Sequence, residues 1–333
     1  MAYKRKTKEE LKQEANDVMG KMNEAIKGYS IDKNKVKELL DFMSTFHKYS
    51  ANNQLLIQTQ YPGASCVASY KQFKERGFHV NKGETGIRIF RPNNVTLFQM
   101  KSNEWKQISE ASTEDKRRIQ SGEAKTRTIQ NFKLTSVFDI SQTNAKAEDV
   151  PDLLPNKPEK FDTEENIEIL NAALLELSEE KGIPVYSFDE VKGLDIKLGA
   201  AKGAYIQLKN GTQMIVIKPD SSTTDYTHTL IHELAHASMH HGKDNEKFTT
   251  AEKEYQAEMG AYVVSRHYGM DTWSFSESYI ANWTKNGKEL SDVNELLKEV
   301  GQFSHTFIQE VDEKREKIIE REEEKEKEAN LSY

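Results

Sequence analysis

His232-Glu233-Leu234-Ala235-His236 puts two imidazoles and a carboxylate where they can serve one metal ion. On an α-helix, residues four apart share a face, so both rings can reach the same cation. Glu233 follows the first ring and can lean toward a water on that cation, which is the arrangement of the zinc metallopeptidases. The chemistry of such a site is activation of water for attack on a carbonyl. Glu233 would take a proton and later pass it to a leaving amine. Leu230, Ile231, Leu234 and Ala235 give the helix an apolar side, and no Pro or Gly interrupts Thr227 to His241. Unpaired imidazoles inside such a run are costly to bury, which disfavours two incidental surface histidines.

A zinc site needs a third protein ligand, and a carboxylate from a following helix is the usual supplier. Ala257, Ala261 and Val264 form the small-residue stripe of a helix packed closely on a neighbour, and Glu254 and Glu258 lie one turn apart beside it. Glu254 is the expected ligand, giving one Zn2+ per chain on His232, His236 and Glu254. Glu258 is then expected to orient an imidazole N–H. Glu252 is expected to face solvent, and His240, His241 and His267 read as polar helix-end residues. The group that stabilises an oxyanion stays open among Tyr205, Tyr255, Tyr262 and His267.

Several elements must position these residues. Gly203 to Lys209 and Gln213 to Lys218 alternate like two strands joined by Asn210-Gly211, a strong hairpin signal. A strand beside the metal helix could hold an extended peptide by edge pairing. A helix is expected over Thr163 to Lys181, a strand over Ile183 to Phe188, and a last helix from near Asp292 into the charged run Glu310 to Glu328. Upstream, a charged helix is expected from about Lys8 to Lys27. The spacing of Leu39, Leu40, Met43 and Phe46 marks a second, and Ser50 could cap a third through Gln60. Ser69 to Arg76 reads as a short helix ended by Gly77. Strands are expected at Gly86 to Arg91, Val95 to Lys101 and Thr128 to Asp139, with a mobile polar loop from Glu110 to Arg127. Three of the chain's seven prolines fall within Pro151 to Pro158, marking an extended linker. The expected organisation is therefore α+β with two domains: a basic domain 1–143, a linker 144–160, a metallopeptidase domain 161–309 and a charged helical tail 310–333.

Charge divides the same way. Residues 1–150 carry 26 Lys+Arg against 18 Asp+Glu, and the remainder carries 21 against 36. A basic half favours a polyanion. Between Lys48 and Arg91, the cations Lys71, Lys74, Arg76, Lys82, Arg88 and Arg91 are interleaved with Tyr49, Tyr61, Tyr70, Phe73, Phe78 and Phe90. Cations that track phosphates, with rings on which bases stack, suit single-stranded nucleic acid. The competing reading makes those rings core and those lysines surface.

Three segments carry a family resemblance: His47-Lys-Tyr-Ser-Ala-Asn-Asn-Gln-Leu-Leu-Ile-Gln-Thr-Gln-Tyr-Pro, Val67-Ala-Ser-Tyr-Lys-Gln-Phe-Lys, and Val80-Asn-Lys-Gly-Glu-Thr-Gly-Ile-Arg-Ile-Phe-Arg-Pro. Together with Val137-Phe-Asp-Ile-Ser-Gln-Thr they resemble the N-terminal domain of the ArdC-type antirestriction proteins. The His-Glu-Leu-Ala-His stretch followed by Glu254-Tyr-Gln-Ala-Glu-Met-Gly-Ala is similar to their second half. The resemblance implies a single-stranded-DNA-binding domain joined to a zincin-like metallopeptidase domain, on conjugative plasmids and related mobile elements. It implies metal ligands at His232, His236 and Glu254, with Glu233 catalytic. For DNA it implies Tyr49 and Asn53, then Tyr70, Lys71, Phe73, Lys74 and Arg76, then Lys82, Arg88 and Arg91. The partners implied are single-stranded DNA and an unidentified protein or peptide substrate. Two alternatives compete with this: a non-enzymatic DNA-binding antirestriction factor with a structural metal, and a peptidase regulator whose basic domain binds protein or RNA.

Cys66 is the chain's single cysteine, so no internal disulfide can form, and no run approaches transmembrane length. The sequence-level expectation is a cytoplasmic protein with no membrane partner.

Overall fold

The structure is a computed structural model that describes residues 7–27, 33–146 and 164–331, apart from 195, 200, 209, 220–221, 242–245, 275 and 278–289. Its elements in chain order are α1 (Lys8–Lys27), α2 (Lys33–Thr45), α3 (Ala51–Gln60), β1 (Val67–Ala68), α4 (Tyr70–Glu75), β2 (Ile87–Gln99), β3 (Trp105–Gln107), α5 (Thr113–Gln120), β4 (Thr126–Asp139), α6 (Glu164–Glu180), β5 (Val185–Ser187), β6 (Gly203–Gln207), β7 (Gln213–Ile217), α7 (Thr223–Met239), α8 (Thr250–His267) and α9 (Val293–Leu331). The fold is mixed α and β, as the sequence implies. No helix among the described residues is long and apolar enough to cross a membrane.

These elements form two compact units that do not follow sequence order. One comprises Met1–Met19 and Cys66–Lys146, the other Gly20–Ser65 and Ala147–Tyr333, each as far as its residues are described. The expected basic domain 1–143 is therefore divided, because α2 and α3 belong with the metal-motif helices. Their apolar faces explain it. Leu39, Leu40, Met43, Leu55 and Leu56 are fully buried, and the Asp41 carboxylate accepts a hydrogen bond from the Tyr262 hydroxyl of α8 at 2.6 Å. Most of the proline-rich linker lies outside the described residues.

In the first unit the sheet order is β1-β4-β2-β3. The two strands expected around Pro92 are one continuous strand, β2, paired antiparallel with β4 from Ile87↔Val137 to Phe98↔Thr126. Pro92 is tolerated because β3 pairs only with Leu97 to Gln99, so the other edge of β2 carries no ladder at Pro92. Ile87, Ile89 and Val137 are buried at one end of this ribbon, whereas Thr126 to Lys133 are exposed on both faces. The segment expected as a mobile loop is ordered: Ser112 and Asp115 form a capping box that starts α5, and Ala124 is buried after it.

In the second unit the sheet order is β5-β7-β6, with β7 parallel to β5 and antiparallel to β6. The expected hairpin is present, and Gly211 takes the positive φ of its turn. One core joins Ile215 and Ile217 of β7 to Leu174 of α6, Leu230, Ile231 and Leu234 of α7, Ala257, Ala261 and Val264 of α8, and Phe307, Ile308 and Val311 of α9. The tail expected to be solvated from residue 310 departs from that reading at its start. Val311, Arg315 and Ile318 are buried, and the described side chains of α9 after Ile318 are exposed.

Candidate metal centre

Helix α7 begins at Ser222, whose hydroxyl accepts the Asp225 N–H. It carries His228, His232 and His236, with His240 at its C-cap, at successive four-residue steps, hence on one face. Helix α8 begins in a capping box of Thr249 and Glu252 and lays Glu254 and Glu258 against that face. Glu252 is not the solvent-facing acid expected. It is buried, closing the cap and accepting from the Ser291 N–H at 2.9 Å.

His232 Nε2, His236 Nε2 and a Glu254 oxygen converge. The two nitrogens are 3.1 Å apart, and Glu254 Oε2 lies 3.6 Å from the first and 3.4 Å from the second. Tetrahedral ligands at zinc–nitrogen and zinc–oxygen distances of ~2.0–2.2 Å stand about 3.3–3.5 Å from one another, so the triangle has the size of a zinc or similar divalent site.

The other ring nitrogens are also committed. Glu258 Oε2 lies 3.0 Å from His232 Nδ1. Glu258 Oε1 lies 3.2 Å from His228 Nε2 and accepts the Ser276 hydroxyl at 2.6 Å. His236 Nδ1 lies 3.0 Å from His240 Nδ1, and His240 Nε2 lies 3.0 Å from the Gln256 carbonyl oxygen. An amide oxygen only accepts, so His240 carries its proton on Nε2 and accepts from His236 at Nδ1. His236 then holds its proton on Nδ1 and presents a lone pair at Nε2 toward Glu254, and His232, whose Nδ1 faces Glu258, would do the same once a metal ion replaced the proton on its Nε2.

Electrostatics favour a cation here. Burial would lower the His232 ring, but hydrogen bonds to Glu254 and Glu258 and the nearby charges of Glu258 and Glu233 outweigh it and lift the group to about 10. Burial would raise Glu258, yet its bonds to His228 and His232 hold it well below the usual carboxylate range. Carboxylates so placed call for positive charge, which a divalent ion would supply in place of a proton.

Glu233 is buried and accepts the Tyr205 backbone N–H at 2.6 Å from β6. The strand comes this close because residue 203 is glycine. A Cβ there would stand 2.7 Å from Thr229 Cγ2 and 3.3 Å from Glu233 Cγ. The side chains considered for an oxyanion have other partners. The Tyr205 hydroxyl donates to Gln213, the Tyr262 hydroxyl to Asp41, and His267 Nδ1–H to the Ser44 carbonyl. Tyr255 is buried. The roles of His228, His240, Gln256 and Ser276 were missed in the sequence, although the four-residue histidine ladder signals two of them.

The expected DNA residues scatter. Phe73 is fully buried and offers no face to a base, and Asn53 is buried on α3. Asn53 and the half-buried Tyr49 belong to the second unit. Arg88 is committed to the Ser136 hydroxyl at 2.7 Å and to Glu14 at 2.9 Å. Tyr70 is 55% exposed, and Lys71, Lys74, Arg76, Lys82 and Arg91 are exposed around the first unit's sheet. The sequence reading passed over Phe132, which is 59% exposed on β4, and Arg127, whose guanidinium lies 4.3 Å over the Trp105 ring.

Residues 8–138 match the model for the N-terminal domain of anti-restriction factor ArdC, and residues 179–265 match the model for the IrrE N-terminal-like domain, Peptidase_M78. The chain therefore joins an ArdC-type N-terminal domain to an M78-like domain. The second of these segments contains His232, Glu233, His236, Glu254 and Glu258. A curated relative, the uncharacterised protein pXO2-81 of Bacillus anthracis, is 36% identical across 98% of this chain. The chain spans about half (56%) of that relative's length. The metal-free crystal structure of the antirestriction ArdC protein from plasmid R388 is similar at 17% identity and TM-score 0.46, covering 81% of this chain and 86% of that one. Its Mn(II)-bound structure gives 16%, 0.43, 84% and 97%.

Proposed function

We propose that this ArdC-type chain is a zinc-dependent peptidase joined to a unit that binds single-stranded DNA, and that it serves antirestriction when a mobile element enters a cell. The observation that carries the peptidase reading is the triangle of His232, His236 and Glu254, with Glu233 on the same helix and hydrogen-bonded to β6. When bound, zinc would supply Lewis acidity toward a peptide carbonyl and toward water. The chain's own residues do the rest. His232 and His236 present lone pairs whose direction Glu258 and the His240–Gln256 pair fix. Glu233 accepts a proton and returns it to the leaving amine. A merely structural metal site has no use for that base. β6 ends the order β5-β7-β6, so an extended peptide laid along it would run past Glu233.

For DNA, Tyr70 and Phe132 offer exposed rings, and Lys71, Lys74, Lys82, Arg91 and Lys133 offer cations, all within the first unit. Rings without strict hydrogen-bond readout, among cations, suit single strands of any sequence.

The test uses the full chain and its Glu233→Gln variant. Mass spectrometry of cellular proteins should reveal a fragment made by the first and not the second, with zinc content and oligo-dT binding equal in both. Full zinc loading with no fragment from either protein would leave the non-enzymatic reading standing.

A further inference from the structure

The second unit brings another set of ligand-type side chains together, away from the α7 motif. His47 follows α2, His267 is the last residue of α8, and Asp312 lies within α9. Each offers one ligand atom, and these atoms lie within 4.8 Å of one another. His47 is 2% exposed, and its Nδ1 is sealed from solvent with no well-directed hydrogen-bond partner among the described residues. The His47 and His267 rings meet edge to face, with centroids 4.3 Å apart. His267 Nδ1 lies 3.1 Å from the Ser44 carbonyl. A carbonyl only accepts, so that nitrogen carries the proton and Nε2 carries a lone pair. Asp312 Oδ1 accepts the Tyr268 hydroxyl at 2.9 Å, and His305 Nδ1–H donates to the His47 carbonyl, fixing the backbone there.

Both imidazoles are poised as neutral donors. Burial, then the charges of His267 and Lys48, lowers His47 to about 3, against a pull from the Ser44 carbonyl. Burial also lowers His267. A metal ion binds neutral imidazole through such a ring-nitrogen lone pair. The class of metal follows from the donors. Calcium and magnesium need several oxygens, and here one carboxylate serves, with the Arg315 guanidinium 3.8 Å from its oxygen. Two imidazoles and one carboxylate suit zinc, copper or nickel.

We propose that His47, His267 and Asp312 form a second transition-metal site of the zinc type, which ties the ends of α2 and α8 to α9. This site stands independently of the peptidase reading, because it shares no residue with the α7 motif.

The test is metal content of the full chain, loaded with zinc, desalted and measured by inductively coupled plasma mass spectrometry. Two zinc ions per chain are expected. Asp312→Asn, a mild change at a half-exposed position, should bring the ratio to one, as should His267→Gln. The pair His232→Ala and His236→Ala should also give one, with the remaining ion lost only when Asp312→Asn is added. Cobalt substitution in the His232/His236 variant should give d–d absorption bands that Asp312→Asn removes. The proposal is overturned by a ratio of one that Asp312→Asn leaves unchanged and His232→Ala abolishes, or by no ion at all. A ratio of one lost in Asp312→Asn but kept in the His232/His236 variant would uphold this site and sink the peptidase centre.

Discussion

The α7–α8 face and the β2–β4 ribbon treat their polar groups in opposite ways. On the α7–α8 face, both nitrogens of His232, His236 and His240 have partners within 3.6 Å, and most of these groups are buried. On the ribbon, Thr126 to Lys133 stand exposed on both faces, and Phe132 has the larger part of its ring in solvent. The first pattern fixes three candidate ligand atoms in advance, so little ordering would remain for an ion to impose. The second leaves side chains free to adapt, which is what the proposed single-stranded DNA, whose bases vary along its length, would require. Under the proposed functions, a site built to hold one atom is over-determined, and a surface built to accept many sequences is under-determined.

The sharpest way to break this contrast is at Glu233. Glu233→Gln should lower turnover by about 10²–10⁴-fold while leaving metal affinity near its native value, measured by competition with a chelating dye. Next in size comes the imidazole relay. His240→Ala leaves His236 Nδ1–H without its acceptor, and zinc affinity should fall about 10–100-fold. His240→Gln should recover part of that loss through an acceptor oxygen at the same place. Gly203→Ala should follow, since its Cβ would stand 2.7 Å from the stiff Thr229 side chain. It should push β6 off α7 and reduce turnover more than zinc content. On the ribbon, Phe132→Ala should weaken oligo-dT binding by about 1–3 kcal/mol and leave the thermal midpoint nearly unmoved, because so little of that ring is buried. An equal loss of stability there would place Phe132 with the core and undo the contrast.

Acid should act on the buried side alone. Burial, with the charge of His236, lowers His240 to about 4, below its ordinary 6.5. A base lowered in the folded state contributes stability that is whole above pH 6.5 and drains away as pH falls through 4. Thermal melts of metal-free protein should show that loss, and His240→Gln should lessen its slope.

The candidate ligands on α7 were legible because a helix converts spacing directly into direction. About four residues make one turn, so His232 and His236 could be placed on one face without coordinates, and Glu254 followed from the expectation of a carboxylate on the next helix. Their supports were partly legible by the same rule, since His228 and His240 continue the ladder. Ser276 was not, because its approach to Glu258 depends on how the chain returns after α8. In the first unit, single residues were harder to place. Phe73 and Tyr70 sit three apart on one short helix, yet one is sealed and the other open. Six residues give too little periodicity to tell which side faces the sheet. The break expected between Arg91 and Val95 came from Pro92 and its polar neighbours, and strand pairing overrode it. The capping box that orders residues 112–120 was visible as Ser112-Thr-Glu-Asp115, and the polarity around it hid it.

The backbone passes between the two compact units after Met19, after Ser65 and after Lys146. Neither unit is one uninterrupted stretch of sequence, so neither can be cut out as a single fragment. A truncation that began beyond residue 146 would strip α2 and α3 from the peptidase-like half and expose Leu39, Leu40, Met43, Leu55 and Leu56 contacts to water. Recombination between related chains would meet the same obstacle: the halves can diverge by point substitution, but they cannot be exchanged as cassettes.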